Sequence, residues 1–306
     1  MLIDGNSMGN IHFTWDKNNK PVARIRQGEK VTLKIPDSSV GQIHPWMGDS
    51  DLGTIDESKF DGALGPIFIE GATRGGTLRV DIESLESGNS GWSAIIDNFG
   101  LLKNRFPRKL VTWKKADGKW SCTDGFLKNV SLEDRPFLGV IGTAPESGTY
   151  GMIPPQYFGG NMDTKILGAG SSLFLPVNVD GGLVSFGDPH GSQGDGEICG
   201  TAIETTATAK VKFSFTESPL KMPRIISKEH REGEIYSSSG ISGDLHSAAE
   251  NAVLDMIEYL ESMNLSGEEA YILLSVTGNL SIREIVDEPN YVVTMSVPMD
   301  IIRQLK

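Results

Sequence analysis

Cysteine is nearly absent. Cys122 and Cys199 are the only two in 306 residues. Two cannot make a disulfide framework, and a reducing compartment is the expectation. Long apolar runs are missing as well: none approaches the ~20 residues that a transmembrane helix needs. The opening MLIDGNSMGNIHF lacks the basic and apolar regions of a secretory signal. The expectation is a cytoplasmic protein with no membrane partner. An excess of basic residues is also lacking. Lys and Arg number 28 against 40 Asp and Glu, a formal charge of −12, so no phosphate-binding footprint exists and no nucleic-acid partner is expected. There is no Gly-x-Ser-x-Gly nucleophile elbow, no heptad pattern and no repeat at ~20–50 residues.

Glycine is plentiful, at 36 residues, and punctuates short β-like runs. KPVARIRQGEKVTLKIPD (Lys20–Asp37) reads as two alternating runs joined hairpin-fashion at Gln27-Gly28. GPIFIEGATRGGTLRVDIESLE (Gly65–Glu86) repeats the design, with Leu78, Val80 and Ile82 on one face and Arg79, Asp81 and Glu83 on the other. FLGVIGTAPE (Phe137–Glu146) is apolar enough for a strand buried on both sides. SSLFLPVNVDGGLVSFGD (Ser171–Asp188) gives two strands turning at Asp180-Gly181-Gly182, and ATAKVKFSFTES alternates again. Strands this short and frequent suggest a sandwich or barrel. The last quarter changes character. SAAENAVLDMIEYLESMN places Ala249, Val253, Met256, Leu260 and Met263 at helical spacing. Ser266 and Glu269 form a capping box for a second helix, and LSIREIVD and NYVVTMSVP follow as strands. The expectation is a β-dominated α+β protein: a β-sandwich-rich region over residues 1–220 with most of the site, and an α+β segment over 221–306 packed on it.

Four segments resemble the acetamidase/formamidase family. GPIFIEGATRGGTLRVDI is similar to its Gly-Pro-x-x-Val-Glu-Gly-Ala segment. GVIGTAPESGTYGMIPPQYFGGNMDTK resembles its Gly-Val-Ile-Gly-x-Ala-Pro segment followed by Gly-Gly-Asn-Met-Asp. LPVNVDGGLVSFGDPHGSQGDGEICGTAIE resembles its Gly-Asp-x-His…Gly-Asp-Gly-Glu segment, and DSSVGQI (Asp37–Ile43) its N-terminal Asp…Gly-Gln-Ile element. The order is preserved over nearly the whole chain. Gly76 departs from a frequent Asp, Asp61-Gly62-Ala63 from a commoner Asn-Pro-x, and HPWMGDSD (His44–Asp51) matches no family feature. The resemblance implies a jelly-roll-like β-sandwich and hydrolysis of small linear amides such as formamide or acetamide, releasing ammonia.

Hydrolysis of an unactivated amide needs a strong nucleophile, a proton acceptor and oxyanion stabilisation. A metal-activated water meets the first and last needs. Asp188 and His190 lie two apart and point the same way if the stretch is extended, a start for a zinc site of about three protein ligands; the alternative is that His190 caps a turn. Asp37, in the N-terminal family element, is the expected third ligand, and the available carboxylates leave calcium open. Glu146 and Glu197 are the candidate general bases, each alternatively a turn or ion-pair carboxylate. Glu146 is expected to be buried at the end of its strand, which would raise its pKa. Asn161 and Asp163 are the candidate substrate-binding residues, alternatively an Asx-turn. Cys199 is weighed as a thiol nucleophile and read as packing. Trp46 and Trp92 are candidate pocket walls, while His12, His44, His230 and His246 fit no motif. Two other readings stay open: a hydrolase of another C–N bond, such as a cyclic amide, and a non-catalytic ligand-binding jelly roll. A homodimer is the expected assembly.

Overall fold

The computed structural model describes the chain apart from residues 8, 124, 230–232 and 306, so His230 lies outside the described residues. Among the described residues, eighteen strands join one hydrogen-bonded network, and Trp15–Asp16 pairs separately with Thr149–Tyr150. Three α-helices are described late in the chain: α1 (Leu245–Glu261), α2 (Gly267–Thr277) and α3 (Met299–Gln304). None of the described helices is long and apolar enough to cross a membrane.

The alternation visible in the sequence sets which side chains are inside. In the strand Thr77–Ile95, Leu78, Val80 and Ile82 are buried while Arg79 and Glu83 are exposed. The strand Phe137–Gly142 is buried at every residue, as its continuous apolar composition predicts. These strands share a core with Leu33, Leu138, Leu173, Phe186 and Phe213.

The expected local hairpins are corrected. Ala23–Arg26 does not pair with Lys30–Ile35; it runs parallel to Ala63–Glu70, while Lys30–Ile35 pairs antiparallel with Glu204–Thr216. Likewise Ser172–Pro176 pairs with Thr77–Ile95 and Arg224–Glu229, and Val184–His190 pairs with Phe137–Gly142 and Ala63–Glu70. Period two marks a strand and its inner face, but it says nothing about which strand lies beside it. Glycines at the turns swing the chain away: Gly28, at φ 85°, donates its N–H to the Phe213 carbonyl instead of closing a hairpin.

The C-terminal segment is tied into the same network. Arg224–Glu229 pairs with Ser172–Pro176 on one side and Gly233–Ser242 on the other, and Ile225, Ile235 and Val292 belong to the main core. Helix α1 packs through Ala248, Ala252, Met256 and Leu260, a stripe set slightly round from the sequence reading. Gly240 explains the shift. A Cβ there would lie 1.9 Å from the Ala248 carbonyl, so helix and strand meet backbone to backbone. The Ser266–Glu269 capping box is formed as expected.

Candidate active site

The stretch Gly187–Glu204 closes on itself around His190. The strand Val184–His190 ends at the imidazole, a glycine-rich loop carries Glu197, and the next strand begins at Glu204, which stands opposite His190 in antiparallel register. The His190 Nε2 is 3.0 Å from Asp188 Oδ1, 3.1 Å from Glu204 Oε2 and 3.8 Å from Glu197 Oε1. On the other side of the ring, Nδ1 is 3.6 Å from Asp163 Oδ1. All five side chains are buried.

Backbone geometry shows how such a cluster is held. Asp163, Asp188 and Glu197 sit in the left-handed region at φ 38°, 48° and 45°, and nearby Asp61 at φ 56°. That conformation is costly for a residue with a Cβ and is concentrated at sites where surrounding structure enforces it. Gly139 provides the room: a Cβ there would lie 2.3 Å from Asp163 Oδ1 and 2.6 Å from Asp188 Oδ2.

A cavity of about 370 Å³ opens onto the cluster. Asp61, Asp163, Asp188, Glu197, Glu204 and Asp287 all line it. Burial pushes Asp163 up to about 8, with the charge of Asp188 adding to the shift. Burial likewise raises Asp61, Asp188, Glu197 and Asp287 well above the usual carboxylate range. Burial opposes charge on His190 too, yet Asp188 and Glu204 outweigh it and hold the imidazolium well above its ordinary pKa. Glu204 moves the other way: burial would raise it, but His190 and the Ser38 hydroxyl, which donates at 2.8 Å, keep it low.

Several buried polar atoms have no hydrogen-bond partner: both Asp163 oxygens, Asn161 Oδ1 and His190 Nδ1. Unpaired buried groups of this kind are costly. The possible ligand atoms of Asp188, His190 and Glu204 lie within 4.8 Å of one another, as do those of Asp163, His190 and Glu197. One imidazole among carboxylates fits a divalent cation, because the cation would offset charges that otherwise repel in a dry site.

The residues singled out from sequence distribute unevenly. Asp163, Asp188, His190 and Glu197 come together, and Asn161 lies beside them, donating from Nδ2 to Asp287 at 2.8 Å. Asp37 is not in the cluster. Its oxygens accept from Ser39 Oγ and the Gly41 N–H at 2.9 Å and from Trp92 Nε1 at 3.2 Å, so it organises the loop that delivers Ser38. Glu146 is exposed, not buried: its strand ends at Gly142, and its carboxylate pairs with Arg74. Cys199 is exposed, with its thiol 3.2 Å from the Thr201 carbonyl. Trp92 lines the cavity, whereas Trp46 is exposed and stacks on His44. Glu204 and Asp287 join the cluster with no sequence signal of their own, and Asp61, seen in the sequence only as a departure from the family pattern, lines the same cavity. Glu204 closes the same quoted stretch, and only its register opposite His190 distinguishes it; Asp287 arrives from the distant C-terminal segment.

Comparison places this β-rich fold with a buried acidic cluster in a defined class. The crystal structure of an acetamidase from Bacillus halodurans superposes with a TM-score of 0.91 at 28% identity, covering 100% of this chain and 99% of that one. The formamidase of Methylophilus methylotrophus is 28% identical, covering 96% of this chain and 89% of that protein. The acetamidase of Mycolicibacterium smegmatis is 25% identical, over 87% and 85%. The Acetamidase/Formamidase family profile matches residues 5–150 and 147–304, and the chain belongs to that family.

Proposed function

We propose that the protein hydrolyses small linear amides of the formamide and acetamide class at the His190 cluster, with a divalent metal as cofactor. Amide hydrolysis rests on membership of the family, whose formamidase and acetamidase relatives match over most of their length. The observation that supports the site is the set of unpartnered buried atoms on Asp163, Asn161 and His190 beside one cavity.

Asp188, His190 and Glu204 are the proposed metal-holding residues, Glu204 taking the place first expected for Asp37. Zinc is the first candidate, given the imidazole, and calcium the second, given the carboxylates. When bound, such a metal lowers the pKa of water and polarises a carbonyl. Glu197 is the proposed general base: it lines the cavity 3.8 Å from His190 Nε2, placed to accept a proton from the attacking water and pass it to the departing nitrogen. Water oxygen bonds to the amide carbon to give a tetrahedral adduct, and the C–N bond then breaks as the nitrogen takes up the proton, leaving carboxylate and ammonia. Asp163 and Asn161 Oδ1 accept from the amide NH2, since both lack other donors. The β-rich region is read as jelly-roll-like, supported by strands that pair with distant partners. A cytoplasmic homodimer remains the proposed state.

The test is ammonia release from formamide and acetamide, with and without chelator. Release that chelator abolishes is the expected result. Folded, metal-loaded protein that releases no ammonia from any small amide would refute the activity. His190→Ala should lose metal and activity together, and full metal occupancy in that variant would refute the ligand assignment.

A further inference from the structure

The cavity is larger than its proposed substrates need, and part of its mostly polar lining is apolar. At about 370 Å³ it falls in the ~300–1,000 Å³ range of clefts that hold drug-sized ligands. Acetamide is far smaller than such a ligand. Its acidic residues share the cavity with Phe60, Trp92, Ile96, Phe99 and Ile153. All of these except Trp92 are only half-buried, so apolar surface faces open space. The Phe60 and Trp92 rings pack against each other with centroids 6.3 Å apart and inclined by 59°, forming one aromatic side of the cavity. Trp92 is fixed in place by its indole N–H bond to Asp37. Charge adds a second constraint. Six buried carboxylates line the cavity, and the one arginine among its lining residues, Arg108, is paired with Asp97 at 2.8 Å. The lining therefore offers an acyl carboxylate no unpaired arginine or lysine.

We infer that the preferred substrate is an uncharged primary amide with a compact aromatic acyl group, seated against Phe60, Trp92 and Ile153 with its carboxamide at the acidic cluster. This rests on the amidase reading and narrows its substrate. Covering half-buried apolar surface favours the larger acyl group, and the site's acceptors are matched by the two N–H donors of a primary amide.

Steady-state ammonia release from formamide, acetamide, benzamide, phenylacetamide and oxamate tests it. The expected kcat/KM for the better aromatic amide is at least about tenfold above that for acetamide, with oxamate the poorest. Phe60→Ala and Ile153→Ala should each erode that ratio mainly through KM; Ile153→Ala keeps the test usable if Phe60→Ala fails to fold. An aromatic-to-acetamide ratio below tenfold, or one that survives both substitutions, overturns the inference while leaving the amidase reading intact. No ammonia from any of the five amides overturns both.

Discussion

Gly139→Ala tests the architecture of the site with a single methyl group. The residue lies in the strand Phe137–Gly142, where an alanine Cβ would stand 2.3 Å from Asp163 Oδ1, 2.6 Å from Asp188 Oδ2 and 3.0 Å from the Asp188 carbonyl. Reaching a tolerable contact requires the two carboxylates to retreat by roughly 0.4–0.7 Å, comparable to the ~0.5 Å within which a functional constellation must be held. The glycine cannot readily move instead, because its carbonyl accepts from the Met162 N–H at 3.0 Å and its neighbours are paired across the sheet. The expected outcome is a fall in kcat/KM of about 100-fold, reduced metal content, and a stability loss of about 1–3 kcal/mol from overpacking. Gly48→Ala is the control: open space surrounds that position, and its stability should change by no more than about 0.5 kcal/mol. Ammonia release, elemental metal analysis and urea denaturation read the three effects. A Gly139→Ala protein with wild-type kcat/KM and full metal content would refute the reasoning.

Further outcomes follow from the same geometry. Glu197→Gln should lower kcat by about 10²–10⁴-fold while the protein stays folded and keeps its metal; undiminished kcat would remove Glu197 from proton transfer. Cys199→Ala should keep most activity, since the thiol is exposed and engaged with Thr201; a folded but inactive variant would restore the thiol mechanism. His12 gives a pH dependence. Burial lowers its pKa to about 4, with Nε2 bonded to Ser185 Oγ at 2.7 Å. The unfolded chain takes up this proton near pH 6.5 and the folded protein only near 4, so the unfolded state binds more protons between them. Stability therefore falls as pH drops through that window, by at most about 3 kcal/mol because the ring keeps some solvent contact. His12→Asn should flatten that part of the curve in urea denaturation, and identical pH slopes for the two proteins would count against it.

How legible the site was depended on sequence distance. Asp188, His190 and Glu197 lie within one short stretch, and their residue types alone suggested shared chemistry. Asp163 and Asn161 came from a glycine-rich segment, where close backbone approach is expected. Glu146 lies four residues past the end of its strand at Gly142, in a surface turn where Arg74 meets it, and the apolar run alone does not mark that end. Asp37 misled because a short-range polar motif looks the same whether its carboxylate holds a ligand or, as here, the N–H and O–H groups of its own loop. Glu204 was hidden because nothing local separates a strand-entry glutamate facing the site from one facing water.

The sequence by itself determined the elements and their inner faces. Alternation at period two and the three-and-four spacing of α1 are consequences of local backbone geometry, and they need no partner to be read. The capping box at Ser266 is equally local. Tertiary structure alone decided which strands pair, and with that which carboxylates meet. Antiparallel register sets Glu204 opposite His190. A missing side chain at Gly139 leaves space for Asp163 and Asp188. The C-terminal segment brings Asp287 to Asn161 across 126 residues of chain. Each of these contacts depends on strand register or on packing between separate elements, which no local pattern encodes.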